Sequence, residues 1–191
     1  MYARRVPLLV ALVLALAGCT ANRGGGDPAR SYDLGIAIPP GLPDVHIGSV
    51  RAVPPFDTLD MHYRLAYRNP AELLAYAQSR WAAPPGELLR KRLSRAASGA
   101  GRCTLNVELH EASQVFRTRD TSEALLEIQA VLVGGQRRIG ERSLRVIESD
   151  AGAGGPDGAA AITRAVDRAI RDLANWIATQ AACRSDTAKA G

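Results

Sequence analysis

The feature that most constrains this chain is a glycine pair, Gly134-Gly135, set between two extended apolar patterns. SEALLEIQAVLV (122–133) precedes it and QRRIGERSLRVIES (136–149) follows it. Glycine supplies the positive φ that tight hairpin turns require, so the pair predicts a β-hairpin. Just upstream, CTLNVELHEA places Cys103, Leu105, Val107 and Leu109 on one face of a strand. Thr104, Asn106, Glu108 and His110 lie on the other. A sheet with one apolar face needs cover, and two amphipathic helical patterns can give it. PPGELLRKRLSRAA (84–97) carries Leu88, Leu89, Leu93 and Ala96 as its stripe, with proline and Glu87 suited to the helix start. Ala159 to Ala182 repeats apolar residues at helical spacing from Ile162 to Ile177, opened by Asp157 or by Gly155-Pro156. Within it, Asp167 and Arg171 stand four apart as an ion pair.

Before these come four shorter patterns: SYDLGIAI (31–38), VHIGSVRAV (45–53), MHYRLAYR (61–68) and ELLAYAQSRW (72–81). In the third, Met61, Tyr63, Leu65 and Tyr67 share a face. The fourth is ambiguous by period and reads as a strand because Pro84-Pro85 opens a helix right after it. The order β-β-β-β-α-β-β-β-α predicts an α+β fold, a mainly antiparallel sheet packed on two helices in a single domain over residues 31–183.

The amino-terminal part is of another kind. Arg4 and Arg5 precede twelve mostly apolar residues, Val6 to Ala17. As a helix these reach about 18 Å, short of a hydrocarbon core of about 30 Å. A basic start, a short apolar middle and small residues at the end make a secretory signal over 1–18. Leu16-Ala17-Gly18-Cys19 resembles the lipobox of bacterial lipoproteins, which implies acylation of Cys19 and cleavage before it. Thr20, where aspartate usually means inner-membrane retention in that class, implies the outer membrane. Residues 19–30 then form a glycine-rich tether, and 184–191 a frayed tail. Removing residues 1–18 from 191 leaves 173, enough for one real core, and lowers the net charge from +5 to +3. So weak an excess gives no case for nucleic acid. Cys103 and Cys183 remain; an oxidising compartment favours a bridge between them, against the alternative of two buried free thiols.

Catalytic patterns are sparse. His46, His62 and His110 each stand alone in a strand pattern and read as surface or edge residues. No G-x-S-x-G, H-E-x-x-H or C-x-x-C occurs. The glycines at 152, 154, 155 and 158 lie where a phosphate loop could, but Asp157 and Pro156 make that loop acidic and poor in donors. No catalytic residue, metal ligand or cofactor is expected. The cationic face of Arg90, Lys91, Arg92 and Arg95 could meet anionic headgroups or an acidic partner, or simply be solvated, as could Arg137-Arg138. Trp176 reads as core, Trp81 as core or exposed contact surface.

Several stretches in this order resemble the ABC-type transport auxiliary lipoprotein family, which includes paraquat-inducible protein C-like lipoproteins. They are Tyr32-x-Leu34, Leu59-Asp60, Tyr63-Arg64-Leu65, Arg80-Trp81-Ala82 with Pro84-Pro85, and Cys103-x-Leu105-x-Val107 running to Gln114-x-Phe116. The likeness spans about residues 31–180; Ala112 departs from it, standing where an aromatic residue is expected. It implies a non-enzymatic, lipid-anchored periplasmic subunit at the outer membrane, docking an MCE-domain (mammalian cell entry) protein of a lipid transporter. Arg80, Trp81, Arg90, Lys91 and Arg92 are the expected partner contacts, and self-association is compatible with such a subunit. A structural envelope lipoprotein that binds peptidoglycan, or helps outer-membrane protein assembly, is the alternative.

Overall fold

The computed structural model describes residues 28–43, 45–149 and 151–184. Cys19, the signal at 1–18, most of the 19–30 tether and all but the first residue of the 184–191 tail lie outside them. Among the described residues seven strands form one sheet: β1 (Arg30–Tyr32), β2 (Val45–Ala52), β3 (Asp60–Leu65), β4 (Leu74–Trp81), β5 (Cys103–Phe116), β6 (Ser122–Gly134) and β7 (Arg137–Glu148). Helix α1 (Pro85–Ala96) falls between β4 and β5, and α2 (Gly155–Ala178) follows β7.

The sheet runs β1-β4-β3-β5-β6-β7, with β2 also on β5. The expected α+β order and the long antiparallel ladders β5–β6–β7 are present, and Gly135, at φ 61°, turns the hairpin. Three pairings are parallel: β1 with β4, β2 with β5, and β3 with β5. The long strand β5 makes this arrangement fit. β2 lies beside its first half, from Cys103 to Leu109, and β3 beside its last four residues, Ser113 to Phe116. A bulge between Leu109 and Glu111 separates the halves. An extra residue there flips the alternation, so Leu109 and Ala112 both face the core; burial alternates before the bulge and is continuous from Glu111 to Phe116, where both faces are covered.

One face of the sheet holds the core. Leu105, Leu109, Leu126 and Leu132 meet Leu89 and Leu93 of α1 and Ile170, Leu173 and Ile177 of α2. Ala161, Ala165 and Ala169 of α2 are almost fully buried; with no side chain beyond Cβ, they let a 24-residue helix lie close to the strands. Glycine does the same at the start of α2. A Cβ on Gly155 would sit 2.3 Å from Ser79 Oγ, and one on Gly158 2.3 Å from Gln114 Oε1. α1 begins on Pro84-Pro85 as expected, with Glu87 in its first turn and Arg95 in its last.

Four local expectations are corrected. The strand at 31–38 stops at Tyr32, because Asp33 Oδ1 accepts the Gly35 N–H at 2.8 Å and Gly35 turns to φ 74°. Tyr67 leaves the shared face of Met61: β3 ends at Leu65, whose carbonyl accepts from Arg68 and Asn69 in a turn. α2 starts at Gly155 and ends at Ala178, four residues before Ala182, with Gln180 extended and a 3-10 turn at Ala181–Cys183. Asp167 pairs across helices with Arg92 rather than with Arg171. The short end of α2 brings Cys183 back to the start of β5, where it is bridged to Cys103 across 80 residues. Both cysteines are fully buried, and Arg102 N–H donates to the Cys183 carbonyl at 3.2 Å.

Candidate functional site

The residues expected to touch a partner divide by burial. Trp81 is 2% exposed. β4 hands it to the interior: its N–H donates to Leu59 O at 2.7 Å, and its indole lines a small apolar cavity with Leu34, Leu89, Leu109 and Val166. The cavity has room of about 10 Å³, one water's worth. The indole N–H is buried without an acceptor. Trp81 therefore belongs to the core and is corrected as a partner contact.

Arg92 is corrected too. It lies on the inner side of α1, 2% exposed, and its planar fork holds three elements together. Nε donates to Asp167 Oδ1 at 2.6 Å and Nη2 to Oδ2 at 2.7 Å, a bidentate pair with α2. Nη1 donates to the Leu34 carbonyl at 2.7 Å. A fully desolvated guanidinium persists only when its donors are met by a carboxylate and backbone oxygens, and here both are supplied. One turn on, exposed Arg95 continues the same task, Nη2 donating to Ile36 O at 3.0 Å and Ala37 O at 3.3 Å.

The two arginines thus pin the backbone after β1. Leu34 and Leu42 are buried at its ends, and Leu42 N–H is tied to Ala96 O at 2.8 Å. Between them Ile36 is 93% and Ile38 89% exposed, with Pro39 buried beneath. Sequence reasoning missed this loop by placing both isoleucines inside a strand; the Asp33-x-Gly35 turn and Pro39-Pro40 were the signals available. Arg90 and Lys91 are exposed, as expected. Lys91, Arg95, Asp33 and Gly35 line one hollow, and Asp33, Glu87, Arg90 and Lys91 a neighbouring groove. Arg80 is exposed at the β1–β4 margin, its Nε donating to Ser31 Oγ at 3.2 Å. Of the expected contacts, Arg80, Arg90 and Lys91 are the exposed ones.

Two buried polar clusters lie elsewhere. On the sheet face away from the helices, Arg64 Nε and Nη2 reach the Glu111 carboxylate at 3.1 and 2.9 Å, and Ser113 Oγ donates to the same group at 2.5 Å. His62 lies beside them with its ring edge-on to Phe56, so it is buried rather than at the surface. Burial pulls its pKa below 6.5, and Arg64 adds to this; Asp60 and Glu111 pull the other way. Toward α2, Gln114 is 1% exposed and satisfied throughout. Its Oε1 accepts from Tyr76 OH at 2.8 Å, and its Nε2 donates to Ser122 Oγ at 2.8 Å and Gly152 O at 2.9 Å. Burial, with Tyr63 and Asp157, pushes the Tyr76 phenol far above its usual range, which keeps it a donor. These clusters fasten loops: one ties β3 to β5, the other ties the glycine-rich turn before α2 to the sheet. His46 is exposed, and His110 Nε2 stands 3.1 Å from Glu108 Oε1. Among the described residues no three His, Cys, Asp or Glu side chains are grouped to hold a metal ion. No helix among them is long and apolar enough to cross a membrane.

No family model and no curated protein matches the chain. Solved structures do. A Xanthomonas campestris protein assigned to DUF330 superposes with a TM-score of 0.62 at 19% identity, over 78% of this chain and 91% of its own. A protein described as uncharacterized superposes with a TM-score of 0.65 at 13% identity, over 79% of this chain and 99% of its own. A candidate lipoprotein from Caulobacter crescentus CB15 reaches only 0.33 at 20% identity, over 49% of this chain and 83% of its own. At these identities the first two show a shared fold.

Proposed function

We propose that this chain is a non-catalytic, lipid-anchored subunit of an MCE-type transport system, held at the outer membrane through Cys19 and facing the periplasm. The observation that carries the reading is the Leu16-Ala17-Gly18-Cys19 box joined by a short glycine-rich stretch to a single α+β domain. Acyl chains on Cys19, at about 0.8 kcal/mol per buried methylene, would hold such a domain stably on a bilayer when two or more are present, where a single chain holds only reversibly. The polar interior supports a scaffold role. Arg92, Glu111, Ser113 and Gln114 are buried and engaged with one another's neighbours or with backbone, which rigidifies the domain. The DUF330 fold agrees with the resemblance in the sequence without naming a partner.

Two measurements test it. The native chain should have the mass of a form starting at Cys19 with acyl groups added, and an MCE-domain protein should co-purify with it. An uncut or unacylated chain overturns the anchor. Retention on isolated sacculi with no MCE partner would favour the structural envelope lipoprotein instead.

A further inference from the structure

Ile36 and Ile38 are an unusual use of chain. Burying an isoleucine is strongly favourable, yet two are held 93% and 89% exposed on a loop that the fold takes care to fix. Arg92 and Arg95 pull three successive-turn carbonyls, those of Leu34, Ile36 and Ala37, toward α1. Leu34 and Leu42 clamp the ends. The side chains are thereby outermost, and the Arg95 guanidinium lies behind them at their backbone.

We propose that the Ile36–Ile38 loop, with Arg90, Lys91 and Arg95 around it, is a bilayer-contacting surface for anionic phospholipid. The layering matches a membrane interface: aliphatic tips for the acyl zone, cations one layer back for phosphates. Arg90, Lys91 and Arg95 outnumber the nearby carboxylates of Asp33 and Glu87, three charges against two. Chain continuity adds to the argument and rests on the anchored reading above. From Cys19 to Pro28 is nine residues, at most about 30 Å of chain. β1 follows two residues later and delivers the chain directly into this loop. The anchor therefore keeps the loop within reach of the surface it would enter.

The test uses the full processed chain in vesicles of phosphatidylethanolamine and phosphatidylglycerol with brominated acyl chains. Ile36→Trp and Ile38→Trp place a reporter at exposed positions, and Arg142→Trp, on the opposite margin of the sheet, is the control. Emission at 36 and 38 should shift to the blue and be quenched, while the control keeps its emission. No quenching at 36 and 38, or equal quenching at all three positions, overturns the proposal. A blue shift that grows with protein concentration in the absence of lipid would mean that a second copy covers the loop, which overturns it as well. The acyl mass is read on the same samples. An acylated chain with an unquenched loop sinks this inference alone. A chain without acyl groups sinks the anchor, and quenching on excess vesicles still decides the loop.

Discussion

Replacing Arg92 by methionine should destabilise the domain by about 3–4 kcal/mol, and the reasoning is specific to what the guanidinium touches. Methionine fills similar volume, so little cavity forms. What is lost is a bidentate bond to Asp167 and a bond to the Leu34 carbonyl. Leaving one member of a buried pair uncompensated costs about 3–5 kcal/mol. The Asp167 side chain is 21% exposed and can regain some water, which favours the lower end. Losing a donor to the Leu34 carbonyl adds about 1 kcal/mol. Asp167→Asn should cost at least as much, because arginine cannot shed its charge. The double variant Arg92→Met/Asp167→Asn removes both charges and should cost clearly less than the two singles together, with a coupling of about 2–3 kcal/mol. Urea unfolding of the four proteins measures the cycle. Hydrogen exchange should show amides from Leu34 to Ile38 opening in Arg92→Met before the strands do. Singles that cost under about 1 kcal/mol, or that simply add, would refute the idea that this arginine is a structural fastener.

Other outcomes follow from single features. Cys103→Ser/Cys183→Ser frees a loop of 80 residues, which the chain-entropy relation puts at about 4.5 kcal/mol and a melting decrease of roughly 10 °C or more, read by calorimetry; an unchanged Tm would count against the bridge. Gly158→Ala pushes a methyl against Gln114 Oε1 and should cost about 1–3 kcal/mol in urea. His62 gives a pH dependence. Its native pKa is below the unfolded 6.5, so between these values the unfolded chain binds more protons and stability falls as pH falls. His62→Gln should flatten that slope in melts taken from pH 7 downward; an unchanged slope would remove His62 as its source.

The sequence made the long antiparallel ladder legible because period-two patterns there extend over ten or more residues, from Cys103 to Glu148. It made α1 legible because Pro84-Pro85 and a leucine stripe agree. The two parallel pairings on β5 were not legible, since they depend on one bulge at Leu109–Glu111 that lets β5 take two neighbours on one edge. Burial of Arg92 could not be read either: its helix position borders the apolar stripe, and only the approach of Asp167 from a helix 75 residues away makes desolvation tolerable. Trp81 was open between two readings, and the β3–β4 register, with Asp60 opposite Arg80, turns it inward. The exposed isoleucines were hidden by their own propensity, which favours strand until the Asp33 cap stops it.

The two outer margins of the sheet have a further consequence. β1 is three residues long, too short to template a partner, and β7 lines its free edge with Arg137, Arg138, Glu141, Arg142 and Arg145. A newcomer strand would have to strip water from those charges to reach the backbone groups between them. Were the proposed anchor to crowd many copies on one membrane, these margins would oppose their zipping into fibres.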